Sequence, residues 1–138
     1  MVRITRNNPP ETHFYTTMKR ILTILTSICA LVGCKADGFE SVDAERFAQI
    51  IQDTTVVRLD VRTTAEYQQG HIPGAILIDV TQANFLEEAK QKLPKEQTIA
   101  LYCRSGRRSK KAANLLVEEG YKVVELNAGF NSWNGEVE

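Results

Sequence analysis

The sequence predicts a three-layer α/β domain over about residues 38–138, with a central parallel sheet of about five strands and helices on both faces. Two observations carry this prediction. Short β-branched or apolar runs alternate along the chain with segments of helical periodicity. The runs are also apolar almost throughout, which is typical of parallel strands, because the helical crossovers that connect them cover both faces of the sheet.

The first half of the domain begins with a helix. Asp43 is placed to cap it, and Val42 and Phe47 have the spacing of a hydrophobic staple. The β-branched run Thr55–Val61 predicts a strand. Thr63 and Glu66 have capping-box spacing, which predicts a short helix that ends at Gly70.

The second half repeats this alternation. Leu93-Pro94 ends one predicted helix, and Gly120 ends the next. In chain order the predicted elements are an apolar run at Ala75–Val80, a helix at Thr81–Lys92, a strand at Thr98–Tyr102, a helix from about Ser109 to Glu119, a strand at Lys122–Leu126 and a closing helical turn at Ala128–Trp133.

Composition and charge exclude several classes of protein. The 138 residues are 43% hydrophobic and 25% charged, which is a globular composition with room for one ordinary domain. A disordered, collagen-like or multi-pass membrane chain is excluded. The 17 basic residues balance the 17 acidic ones, so no broad basic face for a nucleic-acid partner is expected.

The N-terminal segment has the pattern of a secretion signal. Met18-Lys19-Arg20 precedes residues 21–33, which carry no charge and would rise only about 20 Å as a helix, short of a hydrocarbon core of roughly 30 Å. Leu31-Val32-Gly33-Cys34 resembles a bacterial lipobox. Residues 18–33 are therefore predicted to be a signal peptide, residues 1–17 a non-structural upstream extension, and Cys34 a lipidated anchor of a periplasm-facing lipoprotein of the cell envelope. A short core helix with an incidental Cys is the alternative.

The cysteine count then isolates one thiol. Cys29 would leave with the signal and Cys34 would carry lipid, so Cys103 would remain free and could form no internal disulfide. Such a residue is either an inert buried Cys or a reactive one.

Cys103 follows the predicted strand Thr98–Tyr102, at the sheet edge where open α/β sheets bind ligands. Between Arg104 and Lys111 lie five basic residues and no acid. Positive charge and the N-terminus of the following helix favour a thiolate and an anionic substrate, Gly106 permits a tight turn, and Ser109 is suited to capping the helix. The alternative is a buried Cys beside a solvated basic loop. The candidate substrate-binding residues are Arg104, Ser105, Gly106, Arg107, Arg108 and Ser109.

Several blocks together resemble a single-domain rhodanese. They occur in family order over nearly all of residues 38–138, and Ala128 departs from the family pattern by replacing the first Gly of a Gly-Gly pair. The blocks are Leu59-Asp60-Val61-Arg62, Glu66-Tyr67, Gly70-His71-Ile72-Pro73-Gly74-Ala75, Tyr102-Cys103-Arg104-Ser105-Gly106-Arg107-Arg108-Ser109, Leu126-Asn127-Ala128-Gly129-Phe130 and Trp133.

The resemblance implies a sulfurtransferase that needs no metal or organic cofactor. Cys103 would take sulfur from a small anionic donor such as thiosulfate, hold it as a persulfide and pass it to a thiol or cyanide. The loop N–H groups would stabilise the sulfur anions, while Arg107 and Arg108 would bind the donor's oxygen atoms. Asp60 and Arg62 would brace the loop or form an ordinary structural pair. His71 is expected to be structural, and Trp133 to lie in the core.

Three other functions stay open. A phosphatase or arsenate reductase is disfavoured, because those enzymes place an Arg after five intervening residues, where this chain has Ser109; Arg108 closes a loop with only four. A non-catalytic binding module usually lacks the Cys. A redox role is weakened by the absence of a Cys-x-x-Cys pair from the sequence. The physiological donor and acceptor, the choice of membrane and the oligomeric state are left open.

Overall fold

The computed structural model describes residues 38–138, so the predicted extension, the signal peptide and Cys34 lie outside the described residues. Within the described part, no helix has both the length and the apolar character needed to span a bilayer. The elements are β1 (Glu40–Val42), α1 (Ala44–Ile50), β2 (Val57–Asp60), α2 (Thr64–Gln68), β3 (Ile76–Leu77), α3 (Phe85–Lys92), β4 (Thr98–Tyr102), α4 (Arg107–Glu118), β5 (Lys122–Leu126) and a closing 3₁₀ turn (Gly129–Ser132).

The five strands form one parallel sheet in the order β1-β5-β4-β2-β3, which confirms the predicted fold class. The central strand, β4, pairs with β2 and β5, so the carboxyl ends of these three strands meet at one edge. The strand β1 was not among the predicted elements. It has only three residues, two of them exposed, and it becomes a strand by pairing with β5, which no local pattern reveals.

Helices cover both faces of the sheet and enclose two hydrophobic cores. Alternate residues of β4 supply the two cores: Ile99 and Leu101 face one, and Ala100 and Tyr102 face the other. Buried residues of α3 and α4 complete the first core, and Phe47 of α1 contributes to the second. This alternation explains why both faces of the strand are apolar.

Local sequence signals fix several helix ends. Asp43 accepts a hydrogen bond from the backbone N–H of Arg46 at 2.8 Å, as its predicted capping role requires. Thr63 and Glu66 form the predicted reciprocal capping box at the start of α2.

The start of α4 differs from the prediction. The helix begins at Arg107, and its N-terminal flanking residue is Gly106, with φ 96°. Ser109 lies inside the first turn with its side chain buried, so its predicted capping role is wrong. The physical reason is the left-handed conformation of Gly106, which glycine adopts readily. It turns the chain so that the helix begins two residues before the predicted start at Ser109.

Candidate active site

Cys103 lies directly after β4 and is fully buried. The backbone N–H of Gly106 donates to its Sγ at 3.1 Å, and Sγ lies 3.4 Å from Ser109 Oγ. Residues 103–106, the Cys103 loop, connect β4 to α4. This loop folds back over the sulfur atom. The predicted position of Cys103, at the carboxyl edge of the sheet, is confirmed.

These contacts change the acidity of the thiol. Burial raises the pKa of Cys103, but hydrogen bonds from the Ser109 hydroxyl and from the backbone N–H groups of Ser109, Gly106 and Ser105 outweigh it, and the pKa is lowered overall. A sulfur anion is therefore stabilised at this position, chiefly by hydrogen bonds from its own loop and helix N-terminus.

The basic side chains of the loop differ in their surroundings. Arg104 and Arg107 are exposed. Arg108 instead forms a two-pronged ion pair with Glu66 of α2, at 2.8 and 2.7 Å. The hydrogen bonds from Arg108 lower the pKa of Glu66 to about 2. The ion pair uses two of the five guanidinium N–H groups, and donor binding by Arg108 stays a prediction for the other three.

Asp60 and Arg62 form a buried pair at the end of β2. Arg62 donates to both Asp60 oxygens, with a shortest distance of 2.6 Å, and to the Gly70 carbonyl at 2.8 Å. Its guanidinium carbon lies 4.3 Å from the centre of the Phe130 ring. The pair therefore packs against Phe130, and within residues 38–138 neither side chain forms a hydrogen bond to residues 104–109.

Backbone hydrogen bonds join the Cys103 loop to the segment that contains Phe130. The N–H groups of Phe130 and Asn131 donate to the carbonyls of Cys103 and Arg104 at 2.7 and 3.0 Å. A Cβ at Gly129 would lie 2.6 Å from the Cys103 carbonyl oxygen, so only glycine fits there. The close approach of the two backbones holds the first residues of the loop.

Comparison with known proteins supplies the family. A model of the rhodanese-like domain matches residues 43–136. The chain is 35% identical over 94 residues to a sulfurtransferase of Allochromatium vinosum, covering 67% of this chain and 85% of that protein. It is 32% identical over 98 residues to the thiosulfate sulfurtransferase GlpE of Pseudoalteromonas translucida, covering 70% and 90%. This chain belongs to the rhodanese-like family.

Solved structures agree with that assignment. A rhodanese-related protein of Thermoplasma volcanium superposes with a TM-score of 0.64 at 27% identity, covering 72% of this chain and 98% of that one. The domain therefore has the rhodanese-like fold, and its relatives include proteins named as sulfurtransferases.

Two further features of the rhodanese-like domain match the sequence predictions. His71 contacts backbone in its turn: its Nδ1 lies 3.0 Å from the Tyr67 carbonyl oxygen, and its ring stacks on that of Tyr67. Trp133 is partly buried and packs edge-on against Phe47 in the second core.

A polar pocket opens beside the Cys103 loop. Arg62 and Phe130 line it, together with Arg104 of the Cys103 loop. Its remaining lining residues are Glu66, Gln69, Gly70 and Asn131. In residues 38–138, no three His, Cys, Asp or Glu side chains cluster closely enough to hold a metal ion.

Glu125 is the part of the site that the sequence did not reveal. Ser109, predicted to bind substrate, is buried behind Cys103, and its hydroxyl donates to Glu125 Oε1 at 2.6 Å. Glu125, in β5, is fully buried as well. An acidic residue within the otherwise apolar run 123–126 was the available signal.

Proposed function

We propose that this protein is a sulfurtransferase that moves a sulfane sulfur from a small anionic donor such as thiosulfate to a thiol or cyanide through a persulfide on Cys103. The observation that carries the proposal is the set of hydrogen bonds around Cys103 Sγ, which lowers the thiol pKa. Relatives named as sulfurtransferases support the same reaction class.

The proposed reaction consists of two displacements at sulfur. The Cys103 thiolate attacks the outer sulfur of thiosulfate, the S–S bond of the donor breaks, and sulfite leaves with the bonding electron pair. An acceptor thiolate or cyanide then attacks the outer sulfur of the persulfide, and Cys103 leaves as a thiolate.

The loop supplies the electrostatic stabilisation for both displacements. The N–H groups of Ser105, Gly106 and Ser109 would stabilise the persulfide anion as they stabilise the thiolate. The exposed Arg104 and Arg107 would attract the donor's oxygen atoms. Because Cys103 is fully buried, the residues that cover Sγ must shift before a donor can reach it.

The test is the intact mass of the full-length chain carrying Cys29→Ser and Cys34→Ser, measured before and after thiosulfate and then after cyanide. We expect a gain of one sulfur atom that cyanide removes, and no gain when Cys103→Ser is added. Loading that survives Cys103→Ser, or no loading with thiosulfate or any other sulfane-sulfur donor, would refute the proposal. Recovery of Cys103 as a mixed disulfide instead would favour the redox alternative.

We also propose that the enzyme acts at the cell envelope, anchored by lipid on Cys34. The support is the sequence of residues 18–34, in which a basic start and an uncharged run precede Leu31-Val32-Gly33-Cys34. Metabolic labelling of bacterial cells with a fatty-acid analogue should mark the full-length protein and spare the Cys34→Ser variant. Equal labelling of both proteins, or of neither, would contradict the anchor.

A further inference from the structure

The polar pocket beside the Cys103 loop contains part of a guanidinium group that the domain itself leaves unused. An arginine has five N–H donors. In Arg62, the Nε group and one Nη2 hydrogen donate to Asp60, and Nη2 also donates to the Gly70 carbonyl at 2.8 Å. Within residues 38–138, Nη1 forms no hydrogen bond, so two donors of this cation remain available.

These two donors open into the pocket. Arg62 is only 3% exposed, and in the described part of the chain every side-chain nitrogen or oxygen that is sealed from solvent has a hydrogen-bond partner. Because Nη1 has none, it is not sealed, and Arg62 lines this pocket. The guanidinium carbon lies 4.3 Å from the centre of the Phe130 ring, which helps to fix the plane of the group. The pocket therefore presents fixed N–H donors to a ligand.

The charges around the pocket leave one positive charge without a partner. Asp60 balances Arg62 at 2.6 Å. Glu66 lines the pocket too, but both of its oxygens accept from Arg108, at 2.8 and 2.7 Å. Arg104 is exposed and forms no ion pair within residues 38–138. A ligand with one negative charge therefore complements the pocket.

The size of the pocket indicates an organic anion. Its volume is about 200 Å³. A water molecule occupies roughly 30 Å³, so the pocket has room for about seven of them and is larger than cyanide or thiosulfate requires. The Phe130 ring forms part of the wall, which suits a short carbon chain. Arginine N–H donors match the oxygen atoms of a carboxylate. A short-chain carboxylate combines these features.

We propose that this pocket binds the carboxylate of the acceptor thiol, so that the preferred acceptors are short mercapto acids. The inference deepens the proposed function and rests on it for the persulfide of Cys103. Arg104 directly follows Cys103, so an acceptor bound here lies beside the loop that holds the sulfur. The acceptor thiolate attacks the outer sulfur, and the S–S bond to Cys103 breaks. Cys103 keeps the bonding electron pair, and the acceptor leaves as a persulfide anion.

The experiment compares two acceptors of equal shape, β-mercaptopropionate and its uncharged amide. The full-length chain with Cys29→Ser and Cys34→Ser is loaded with thiosulfate and freed of excess donor. The rate constant for sulfur release to each acceptor is then measured. The acid-to-amide ratio of each variant, divided by that of the parent chain, cancels the difference in reactivity between the two thiols.

Two variants should lower this ratio. Gln69→Glu places a negative charge on an exposed residue of the pocket lining, and we expect the ratio to fall about fivefold through repulsion of the carboxylate. Arg62→Lys keeps a positive charge opposite Asp60 but removes Nη1, and we expect a fall of about tenfold. Circular dichroism confirms that each variant is folded.

Gln68→Glu is the matched control. Gln68 is the neighbour of Gln69 and is exposed as well, but it lies outside the pocket lining. The same charge change there should leave the ratio nearly unchanged. A ratio that stays constant in Gln69→Glu, or falls equally in Gln68→Glu, overturns the inference, and this comparison decides alone if Arg62→Lys does not fold. If Gln69→Glu slows only the loading from thiosulfate, the pocket binds the donor and the inference is wrong.

A second measurement needs no sulfur transfer. Two-dimensional NMR follows the Gly70 amide signal of the same chain with Cys103→Ser while either acceptor is added. We expect a saturable shift with the acid at concentrations where the amide has little effect, and equal responses overturn the inference. Failure of the sulfurtransferase proposal shows instead as absent sulfur loading on Cys103, so the two failures are distinguishable.

Discussion

Two carboxylates are completely buried in residues 38–138, and the fold neutralises them in different ways. Asp60, at the end of β2, faces the buried guanidinium of Arg62 at 2.6 Å, which gives a closed ion pair. Glu125, in β5, is held mainly by two hydroxyls and by a half-exposed ammonium at 3.3 Å. The first arrangement holds Arg62 against Phe130, whereas the second holds the Ser109 hydroxyl beside Cys103.

The largest expected effect comes from breaking the closed pair. Asp60→Asn would leave the Arg62 guanidinium buried without its counter-charge, so we expect a loss of about 3–5 kcal/mol in the free energy of unfolding. Glu125→Gln keeps acceptors and donors for its hydroxyl partners and should cost less, about 1–2 kcal/mol. Urea denaturation of both variants measures the difference.

A double variant separates charge from shape at the closed pair. Asp60→Leu combined with Arg62→Met removes both charges and should recover part of the stability that Asp60→Asn loses. Equal losses of unfolding free energy in Asp60→Asn and Glu125→Gln would contradict the difference drawn between the two carboxylates.

The second prediction concerns the Ser109 hydroxyl, which lies between Glu125 and Cys103. Ser109→Ala removes a hydrogen bond that lowers the pKa of Cys103, so the pH at which the thiolate forms should rise. Since loading requires the thiolate, the rate of sulfur loading should increase with pH through this pKa. At neutral pH the variant should be slower by about tenfold, and the difference should shrink at high pH.

Ser41→Ala is the control for that experiment, because Ser41 contacts the other oxygen of Glu125 and not the sulfur. It should shift the pH profile less than Ser109→Ala does. A pH-independent loss of rate in Ser109→Ala would mean that the hydroxyl acts on loop structure alone.

The third prediction concerns the pH dependence of stability that the partly buried carboxylate of Glu66 provides. Arg108 lowers the pKa of Glu66 to about 2, below its unfolded value, so the pair stabilises the fold above the unfolded pKa and this contribution is lost as pH falls toward 2. Glu66→Gln should therefore cost about 1 kcal/mol at neutral pH and progressively less in acid. Unfolding free energies at about pH 7 and about pH 3 provide the measurement; a pH-independent difference would contradict the assignment.

The smallest effect is expected at Ala128, between β5 and the closing 3₁₀ turn. Ala128 has φ 62°, a left-handed conformation that costs a residue with a Cβ about 1 kcal/mol. Ala128→Gly should relieve that strain and stabilise the domain by up to about 1 kcal/mol, while sulfur loading stays unchanged. Thermal unfolding measures the gain, and a lower melting temperature would show that Ala128 makes compensating contacts.

Local patterns predicted most of the helices and the longer strands. Asp43 and the Thr63–Glu66 capping box were read correctly because capping depends on residues three positions apart. Predicted bounds were too wide for β3, which is only Ile76–Leu77, and for α3, which begins at Phe85. At β3, apolar composition continues beyond the two residues that pair with β2. Before α3, residues 81–84 form turns rather than the first turn of the helix.

The site was predictable where its chemistry lies on contiguous residues. Cys103 and the loop after it were identified because a thiol, a glycine and a helix start follow one another along the chain. Glu125 and the Glu66–Arg108 pair were missed because their partners are 16 and 42 residues apart. A pattern over neighbouring residues carries no information on such pairs.

By itself, the sequence determined the α/β class, the position of Cys103 directly after a strand, and the presence of a helix beyond the loop that follows it. These properties depend on side-chain periodicity and on short-range hydrogen bonds. The tertiary structure decided how each buried charge is neutralised. It placed Glu125 beneath Ser109 and Arg62 against Asp60 and Phe130, because burial and the distance between charges are fixed only when strands and helices pack.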